Sequence, residues 1–498
     1  MAIEDTEFCY RAVKSRDRRF DGVFYTAVRT TGIYCRPSCP AITPQQKNVV
    51  FYRTAAAAQG GGFRACKRCL PDATPGSPDW DVSADVAGRA MRLISDGVVE
   101  RDGVEGLAAK VGYTSRHLNR LLVDQLGASP LALARAKRAQ SARILIETTR
   151  MQFADVAFAA GFSSIRQFND TVKAVYAVSP SELRSKRGPV NSAPDQLELR
   201  LAVRAPFSAR ELLAFLAVRA VPGVEAVEGT TYRRTLRLPH GHGVVALLLE
   251  DAKLDGRTGF VRCALRVSDL RDVASAVERC RRLLDLDADP IAVDDQLGLE
   301  PLLAPLVTAR PGLRVPGHVD GHELAVRAVL GQQVSVAGAR TLAARLTMAY
   351  GEQVEGGDGL THLFPSAEVL AEVDPTEIAM PRSRGRALNA LCAAVAAGDV
   401  ALDRSADRSD VRKVMLAVPG IGPWTTDYIA MRALGDPDIF LPTDVGVRHA
   451  LERKRIDPRK AEEMSQAWRP WRSYAQMHLW TSLTPTEVGT SRSLLKEN

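Results

Sequence analysis

The stretch that most constrains this chain runs from Leu416 to Arg448: LAVPGIGPWTTDYIAMRALGDPDIFLPTDVGVR. An apolar helical run enters Pro419-Gly420-Ile421-Gly422, and a second helix leaves at Pro423, whose fixed φ suits a first helical position. Gly420 and Gly422 permit φ > 0 and remove β-carbons, so backbone N–H groups can approach an anion closely. A helix N-terminus behind the turn favours that anion further. A helix–hairpin–helix gripping a DNA phosphate meets these conditions, and so does an ordinary tight turn between helices. Downstream, after a second proline-marked break, Asp444 stands in FLPTDVG.

A hairpin followed at this interval by an aspartate resembles the helix–hairpin–helix DNA glycosylase superfamily, and in detail DNA-3-methyladenine glycosylase II (AlkA). AVRAVLGQQVSVAGARTL (325–342), FLPTDV and WRPWRSYAQMHLW (468–480) support the resemblance. It implies a helical domain over 291–498 that hydrolytically excises alkylated purines of the 3-methyladenine type. Asp444 would be the essential carboxylate. Trp424, Tyr428 and Trp480 would line the pocket for the flipped base, although without the resemblance each also reads as ordinary aromatic core. Where AlkA has a leucine wedge in GQLVSV, this chain has Gln333 in GQQVSV; a polar side chain can fill the gap by bonding to the orphan base. Lyase-active relatives place a lysine where Trp424 stands, and without that amine no Schiff base forms at the sugar. The resemblance thus implies a monofunctional enzyme.

A length of 498 residues suggests about three to four domains. The opening MAIEDTEF is acidic and polar, unlike a secretory signal, and no apolar run approaches the ~18 residues of a membrane span. The expected location is the cytoplasm, at the nucleoid. The net charge of +8 is uneven: residues 1–190 hold 28 Lys+Arg against 18 Asp+Glu, and the remainder 38 against 40. A basic N-terminal part suits a phosphate backbone as partner, though charge alone also suits a solvated surface.

Of eight cysteines, four cluster as Cys35-x3-Cys39 and Cys66-x2-Cys69, while Cys9, Cys263, Cys280 and Cys392 stand singly. Two short-spaced pairs suit one tetrahedral zinc with four thiolates, and spacing alone says no more than structural zinc. The surrounding FYTAVRTTGIYCRPSCPAITPQQKNVVFYRTAAAAQGGGFRACKRC resembles the N-terminal domain of the Ada protein. That family moves a methyl group from a DNA phosphotriester to a zinc-bound cysteine. The resemblance makes Cys35 the acceptor and Cys39, Cys66 and Cys69 supporting ligands. Arg36, Lys67 and Arg68 are candidates to hold the DNA backbone or are solvated surface. The cysteine–histidine–valine motif of alkylguanine transferases is absent, so repair of O6-alkylguanine is not expected.

After a proline-rich linker at 70–82, the pattern over 83–187 is helical and approximately repeated. LAAKVGYTSRHLNRLLVDQLGASP begins at Leu107 and VAFAAGFSSIRQFNDTVKAVYAVSP at Val156, with Gly112 and Gly161 in register. Each unit is an apolar helix, a glycine turn and a second helix opening at Ser or Thr, the grammar of a helix–turn–helix; a plain helical bundle is the alternative. Two such units joined by a helix resemble the DNA-binding domain of AraC-type regulators. That implies base-edge roles in successive major grooves for Arg116, His117, Asn119 and Arg120, and for Arg166, Gln167 and Asn169. A second linker, 188–195, leads into alternating strand-like runs with a capping-box spacing at Ser208 and Glu211. This part, 195–290, resembles the N-terminal α+β domain of AlkA, which supplies structure rather than catalytic groups.

The expected fold class is therefore multidomain α+β. A zinc domain (1–80) precedes a double helix–turn–helix (83–187), an antiparallel-sheet α+β domain (195–290) and a helical glycosylase domain (291–498). The expected function joins excision of alkylated purines to methyl acceptance on Cys35 that activates transcriptional regulation. The alternative is a regulator whose glycosylase-like half binds DNA without cutting. Expected partners are one Zn2+, alkylated and promoter double-stranded DNA and RNA polymerase, for a monomeric chain.

Overall fold

The computed structural model describes residues 6–17, 20–69, 71, 86–185, 196–250, 259–357, 359–403 and 406–483. The linkers expected at 70–82 (apart from Pro71) and 188–195 lie outside these residues, as do residues 1–5. Among the described residues no helix is long and apolar enough to cross a membrane.

In the N-terminal unit, antiparallel strands Tyr25–Val28, Ile33–Cys35 and Val49–Tyr52 form a small sheet, and Arg64–Ala65 adds a parallel fourth strand. Pairing Ile33 with Arg64 and Tyr34 with Ala65 makes Cys35 and Cys66 leave adjacent strands side by side.

The next unit is helical, and its two repeats fold alike. Helices Val98–Val111 and Ser115–Leu126 flank Gly112 (φ 82°), and Phe153–Ala159 and Ile165–Tyr176 flank Gly161 (φ 83°). A side chain that accepts an amide N–H starts each second helix: Thr114 from His117 N (3.3 Å) and Ser164 from Gln167 N (3.2 Å). The Ser-Pro pairs that close each repeat in sequence open the following helices instead. Ser129 caps Pro130–Thr148, the helix joining the units, and Ser179 caps Pro180–Ser185.

Strands Leu197–Val203, Glu225–Glu228, Thr231–Leu238, Gly241–Leu248 and Gly259–Val267 form one antiparallel sheet, in which the first strand pairs with the last. Their inward residues share a core with helices Ala209–Ala217 and Val273–Leu283. The capping box expected at Ser208 does not form. Ser208 bonds to the carbonyl of Pro311 (3.0 Å), and Glu211 lies 3.8 Å from Arg310 instead of reaching back. Both were drawn into contacts with a segment distant in sequence.

From Pro290 the chain is largely helical and builds two apolar cores. One centres on helices Gly321–Leu330, Arg382–Ala396 and Pro423–Arg432; the other joins residues 288–315 to helices Val445–Arg453 and Arg472–Thr481. A buried ionic cluster bolts the sheet to the first core. Arg234 meets Glu323 (2.6 Å) and Glu225 (3.4 Å), and Arg327 meets Glu225 (2.9 Å) and Glu323 (3.0 Å). Tyr232 and the backbone N–H of Val221 also donate to Glu225. Burial raises the cost of ionising Glu225, but Arg327 and Arg234 more than offset it and its pKa is lowered.

The N-terminal units dock on this body. Buried Arg204 donates to the carbonyls of Asp287 and Asp21 (both 2.9 Å), and Arg282 pairs with Asp96 (2.7 Å). The two N-terminal units are joined to each other where Thr54 donates to the Leu126 carbonyl (3.2 Å).

His478, in Arg472–Thr481, is 1% exposed, and neither ring nitrogen has a hydrogen-bond partner among the described residues. Burial, with Arg310 adding to it, lowers its pKa from 6.5 to about 4. The unfolded chain therefore binds the proton more readily than the folded one. Stability is complete above the ordinary histidine value and is lost as pH falls towards 4, by about 3 kcal/mol in all. His478→Leu should remove this loss. Urea midpoints at about pH 7.5 and about pH 5 should fall further for the wild type than for the variant. Equal acid losses would contradict the assignment.

Candidate active site and metal centre

The hairpin begins as helix Arg408–Ala417 and ends as Pro423–Arg432, with Pro423 at the first helical position. Arg412 braces the two helices through Asp427 (2.8 Å). Gly420 has φ 86°, and a β-carbon there would lie 2.5 Å from the Ala387 side chain. Glycine is thus required both by conformation and by a close approach. Gly422 differs from expectation: its φ is −96° and nothing crowds it, so it acts as a helix N-cap with no side chain over the N–H groups. Arg382, Arg386 and Lys413 are exposed on the helices flanking the turn.

Asp444 N-caps helix Val445–Arg453, its Oδ1 accepting from Val447 N (3.1 Å). The same carboxylate accepts from two indoles: Trp480 Nε1 reaches Oδ1 (2.7 Å) and Trp424 Nε1 reaches Oδ2 (3.1 Å). The sequence suggests these tryptophans only as pocket walls; the structure also makes them donors to the carboxylate. Trp424 stacks on Tyr428, with centroids 5.2 Å apart and planes 10° apart, and Tyr428 lies 6.4 Å from Trp480. All four side chains are half-buried.

Sequence reasoning missed three contributors. Gly446 is one: a β-carbon there would lie 2.8 Å from Trp480 Cδ1 and 3.0 Å from Asp444 Oδ1, so only glycine lets Trp480 reach the carboxylate. Phe215 and Arg219 are the others. They come from the α+β unit, expected to give structure alone, yet Phe215 packs against the same apolar core as Trp424, Tyr428 and Trp480. Arg219 lies 3.6 Å over the Phe215 ring, and Arg432 lies 4.8 Å from its centroid and donates to the Tyr428 hydroxyl (2.6 Å). Burial pushes the Tyr428 phenol up, but Arg432, Arg219 and Arg327 outweigh it and lower its pKa. The phenol oxygen is held as an acceptor in a positive field. No local signal marks Phe215 or Arg219, because their role depends on docking across the chain.

Gln333 sits exposed at the turn after helix Gly321–Leu330, in left-handed backbone (φ 57°). Its neighbour Gln332 donates to the Gly420 carbonyl (3.3 Å) and the Thr425 hydroxyl (3.0 Å).

The sulfur atoms of Cys35, Cys39, Cys66 and Cys69 all lie within 4.8 Å of one another, a spread that suits one tetrahedral ion about 2.3 Å from each sulfur. The thiols share hydrogen bonds. Bonding to Cys35 lowers Cys39 to about 7, and Cys35 and its neighbours pull Cys66 far below the ordinary thiol range. Contact with Cys39 pushes the Cys35 thiol up, and contact with Cys35 pushes the Cys69 thiol up. Cys66 and Cys69 are buried, whereas Cys35 and Cys39 are partly exposed. Arg36, a candidate backbone contact, lies 3.6 Å from Asp21, which also accepts from the Ser38 amide and hydroxyl. Lys67 and Arg68 are exposed.

Arg116, His117, Asn119 and Arg120 are exposed along one second helix, and Arg166, Gln167 and Asn169 along the other. His117 stacks on Tyr113 (4.9 Å) and meets Arg120 (3.4 Å).

Four family profiles match in chain order: the metal binding domain of Ada (8–72), a helix-turn-helix domain (107–186), the AlkA N-terminal domain (198–320) and the HhH-GPD superfamily of base excision DNA repair proteins (326–473). A Mycobacterium tuberculosis protein described as a probable bifunctional transcriptional activator/DNA repair enzyme AlkA is 54% identical over 96% of this chain and 97% of its own length. This chain belongs to the bifunctional AlkA family. Within that family's organisation, Escherichia coli DNA-3-methyladenine glycosylase 2 is 35% identical over 55% of this chain and 94% of its own length. Escherichia coli Ada is 39% identical over 27% of this chain and 36% of its own length. The four clustered cysteines are accordingly a one-zinc site.

Gly446→Ala tests the packing around the Asp444 carboxylate. It should displace Trp480, slow release of an alkylated base by about 10-fold or more in single turnover, and leave the melting temperature nearly unchanged. An unchanged rate would show that the Trp480 contact is dispensable.

Proposed function

We propose that this protein excises N-alkylated purines from double-stranded DNA and, through its zinc domain, accepts a methyl group that raises its activity as a transcriptional regulator. The observation that carries the first half is the Asp444 carboxylate clamped between Trp424 and Trp480 beside the hairpin. An N-alkylated purine is cationic, so its glycosidic bond is already weakened and the leaving group needs little protonation. The remaining work is to extrude the base, at a cost of a few kcal/mol, and to stabilise the oxocarbenium-like sugar. Asp444 faces that developing charge and orients water, while two indole N–H groups fix its oxygens. Tyr428 and the two half-buried indoles receive the cationic base, by a preference of about 1–2 kcal/mol when desolvated. The proposed phosphate grip uses Gly420 and Gly422, and Gln333 fills the vacated gap. Trp424 in place of the lyase lysine supports monofunctional hydrolysis that leaves an abasic site.

In the proposed division of labour, residues 1–80, 83–187, 195–290 and 291–498 are the methyl acceptor, the double helix–turn–helix, the α+β unit and the glycosylase. Partial exposure supports Cys35 as acceptor, although Cys39 shares it. Its sulfur attacks the methyl carbon of a phosphotriester; the S–C bond forms, the C–O bond breaks, and a phosphodiester leaves. Zinc keeps the thiols deprotonated at neutral pH. Methylating one thiolate removes one negative charge beside a polyanion, worth roughly 2 kcal/mol against one phosphate at about 8 Å and an effective dielectric near 20. Salt screens this over about 8 Å. Arg116, His117, Asn119, Arg120, Arg166, Gln167 and Asn169 would then read promoter DNA. The proposed setting is a cytoplasmic, nucleoid-associated monomer that contacts RNA polymerase.

Asp444→Asn is the direct test. Asn still caps the helix, so the fold and DNA binding should persist while base release falls by roughly 100- to 1,000-fold or more. Turnover near the wild-type rate would remove Asp444 from the mechanism. Borohydride should trap no enzyme–DNA adduct during wild-type turnover; a trapped adduct would mean that an amine attacks the sugar.

The second test maps methyl groups by peptide mass analysis after incubation with methylated DNA. One should appear on Cys35, and promoter affinity of the full chain should rise by about 5- to 150-fold at low salt. A methyl on another cysteine would overturn the assignment of Cys35, and equal affinities at low salt would reject the switch.

A further inference from the structure

The turn that presents Gln333 is tied to the hairpin at one side chain. Gln332 Nε2 donates to the Gly420 carbonyl (3.3 Å) and to the Thr425 hydroxyl (3.0 Å), one group on the hairpin turn and one in the first turn of the helix behind it. A backbone carbonyl can only accept, which fixes the amide with its nitrogen towards the hairpin. The Gln332 carbonyl is itself gripped by the Arg384 guanidinium. Arg384 lies on helix Arg382–Ala396, the helix whose Ala387 packs so closely under Gly420 that no β-carbon fits between them. Gly420, Gln332 and Arg384 thus close a triangle around the hairpin turn. Thr425, the second anchor, is 3% exposed and cannot swing away.

The next residue, Gln333, is exposed and held at φ 57°, a conformation that L residues other than glycine, Asn and Asp seldom adopt. Such a backbone persists only where its surroundings over-determine it. The bonds of Gln332 to Gly420, Thr425 and Arg384 hold the residue immediately before it.

We infer that Gln332 is a positioning residue for base extrusion: its two bonds to the hairpin set the distance between the gripped phosphate and the side chain of Gln333. This rests on the proposed reading of the chain as a base-flipping glycosylase and names a residue that this reading leaves without a role. A hairpin holding one phosphate and a plug filling one base gap can act together only if their separation matches the DNA, and an error of about 1 Å is costly to a reaction that depends on orientation. Gln332 does not touch the reacting atoms. Its effect passes through Gln333.

The test is a double-mutant cycle in the full-length protein. Gln332→Glu preserves shape but can donate to neither acceptor, and Gln332→Met removes the amide with similar volume. Each should lower single-turnover release of an alkylated purine by about 10- to 100-fold, the effect of two lost hydrogen bonds expressed in the transition state. Each should also weaken the fluorescence rise of a 2-aminopurine placed beside the lesion, which reports unstacking, while binding to DNA containing a stable abasic analogue stays within about 3-fold. The deciding arm repeats Gln332→Glu in a Gln333→Ala background. With the plug gone, its positioning no longer matters, so the second substitution should add less than about 2-fold. Full additivity would overturn the inference and leave Gln332 as a structural brace. So would wild-type rates in both single variants. If the wild type releases no base, the underlying glycosylase reading fails and the inference falls with it; wild-type release with unaffected variants rejects the inference alone.

Discussion

The site depends on one charged acceptor with three donors. Asp444 receives Val447 N and Trp480 Nε1 on one oxygen and Trp424 Nε1 on the other. Hydrogen bonds to a charged group contribute about 1.5–3 kcal/mol each, so the carboxylate has one orientation. Much of the local architecture serves these contacts. Trp424 must stand directly behind the hairpin, Trp480 must arrive from helix Arg472–Thr481, and residue 446 must have no β-carbon. The arrangement also lets one residue begin a helix and hold its carboxylate between two indoles. The cap fixes one oxygen, and the indoles keep the pair from turning inward.

A second constraint lies between the parts of the chain. Buried ion pairs usually cost more in desolvation than they return, and breaking one partner leaves a charge stranded. The cluster of Arg234, Glu225, Glu323 and Arg327 therefore holds the sheet against the helical body as a unit. Arg327 belongs to helix Gly321–Leu330, which leads into Gly331–Gln333, so the interface also supports that turn. At the other end, Asp21 joins the metal loop to the body: its side chain holds Ser38 and lies beside Arg36, and its carbonyl accepts from buried Arg204. The regulatory and repair halves share a docked surface.

What was legible in the sequence was local. Pro423 after PGIG marked a helix start, the glycines at 112 and 161 marked the turns of the repeated units, and two short cysteine spacings marked ligands that meet in space. Each needs only neighbouring residues or a short closed loop. What stayed hidden depended on distant partners. Ser208 and Glu211 have the spacing of a capping box, yet the Pro311 carbonyl and Arg310 claim them. Gly422 has the look of a left-handed glycine, but Gly420 alone takes that conformation. Phe215 and Arg219 carry no local mark until docking brings Phe215 against Arg432 and Arg219 close to Tyr428. Cys263 and Cys280, on the last strand of the sheet and the helix that follows it, meet in the core, where bonding to Cys280 and then burial push the Cys263 thiol up.

The central claim is that Trp424 and Trp480 act through Asp444. Trp424→Phe with Trp480→Phe keeps a ring at both positions and removes both N–H donors. Single-turnover release of an alkylated purine should fall by about 10- to 100-fold in this variant. The same pair of changes should add almost nothing where Asp444 is already Asn. An undiminished rate in the double variant, or an equal further loss without the carboxylate, would contradict the account.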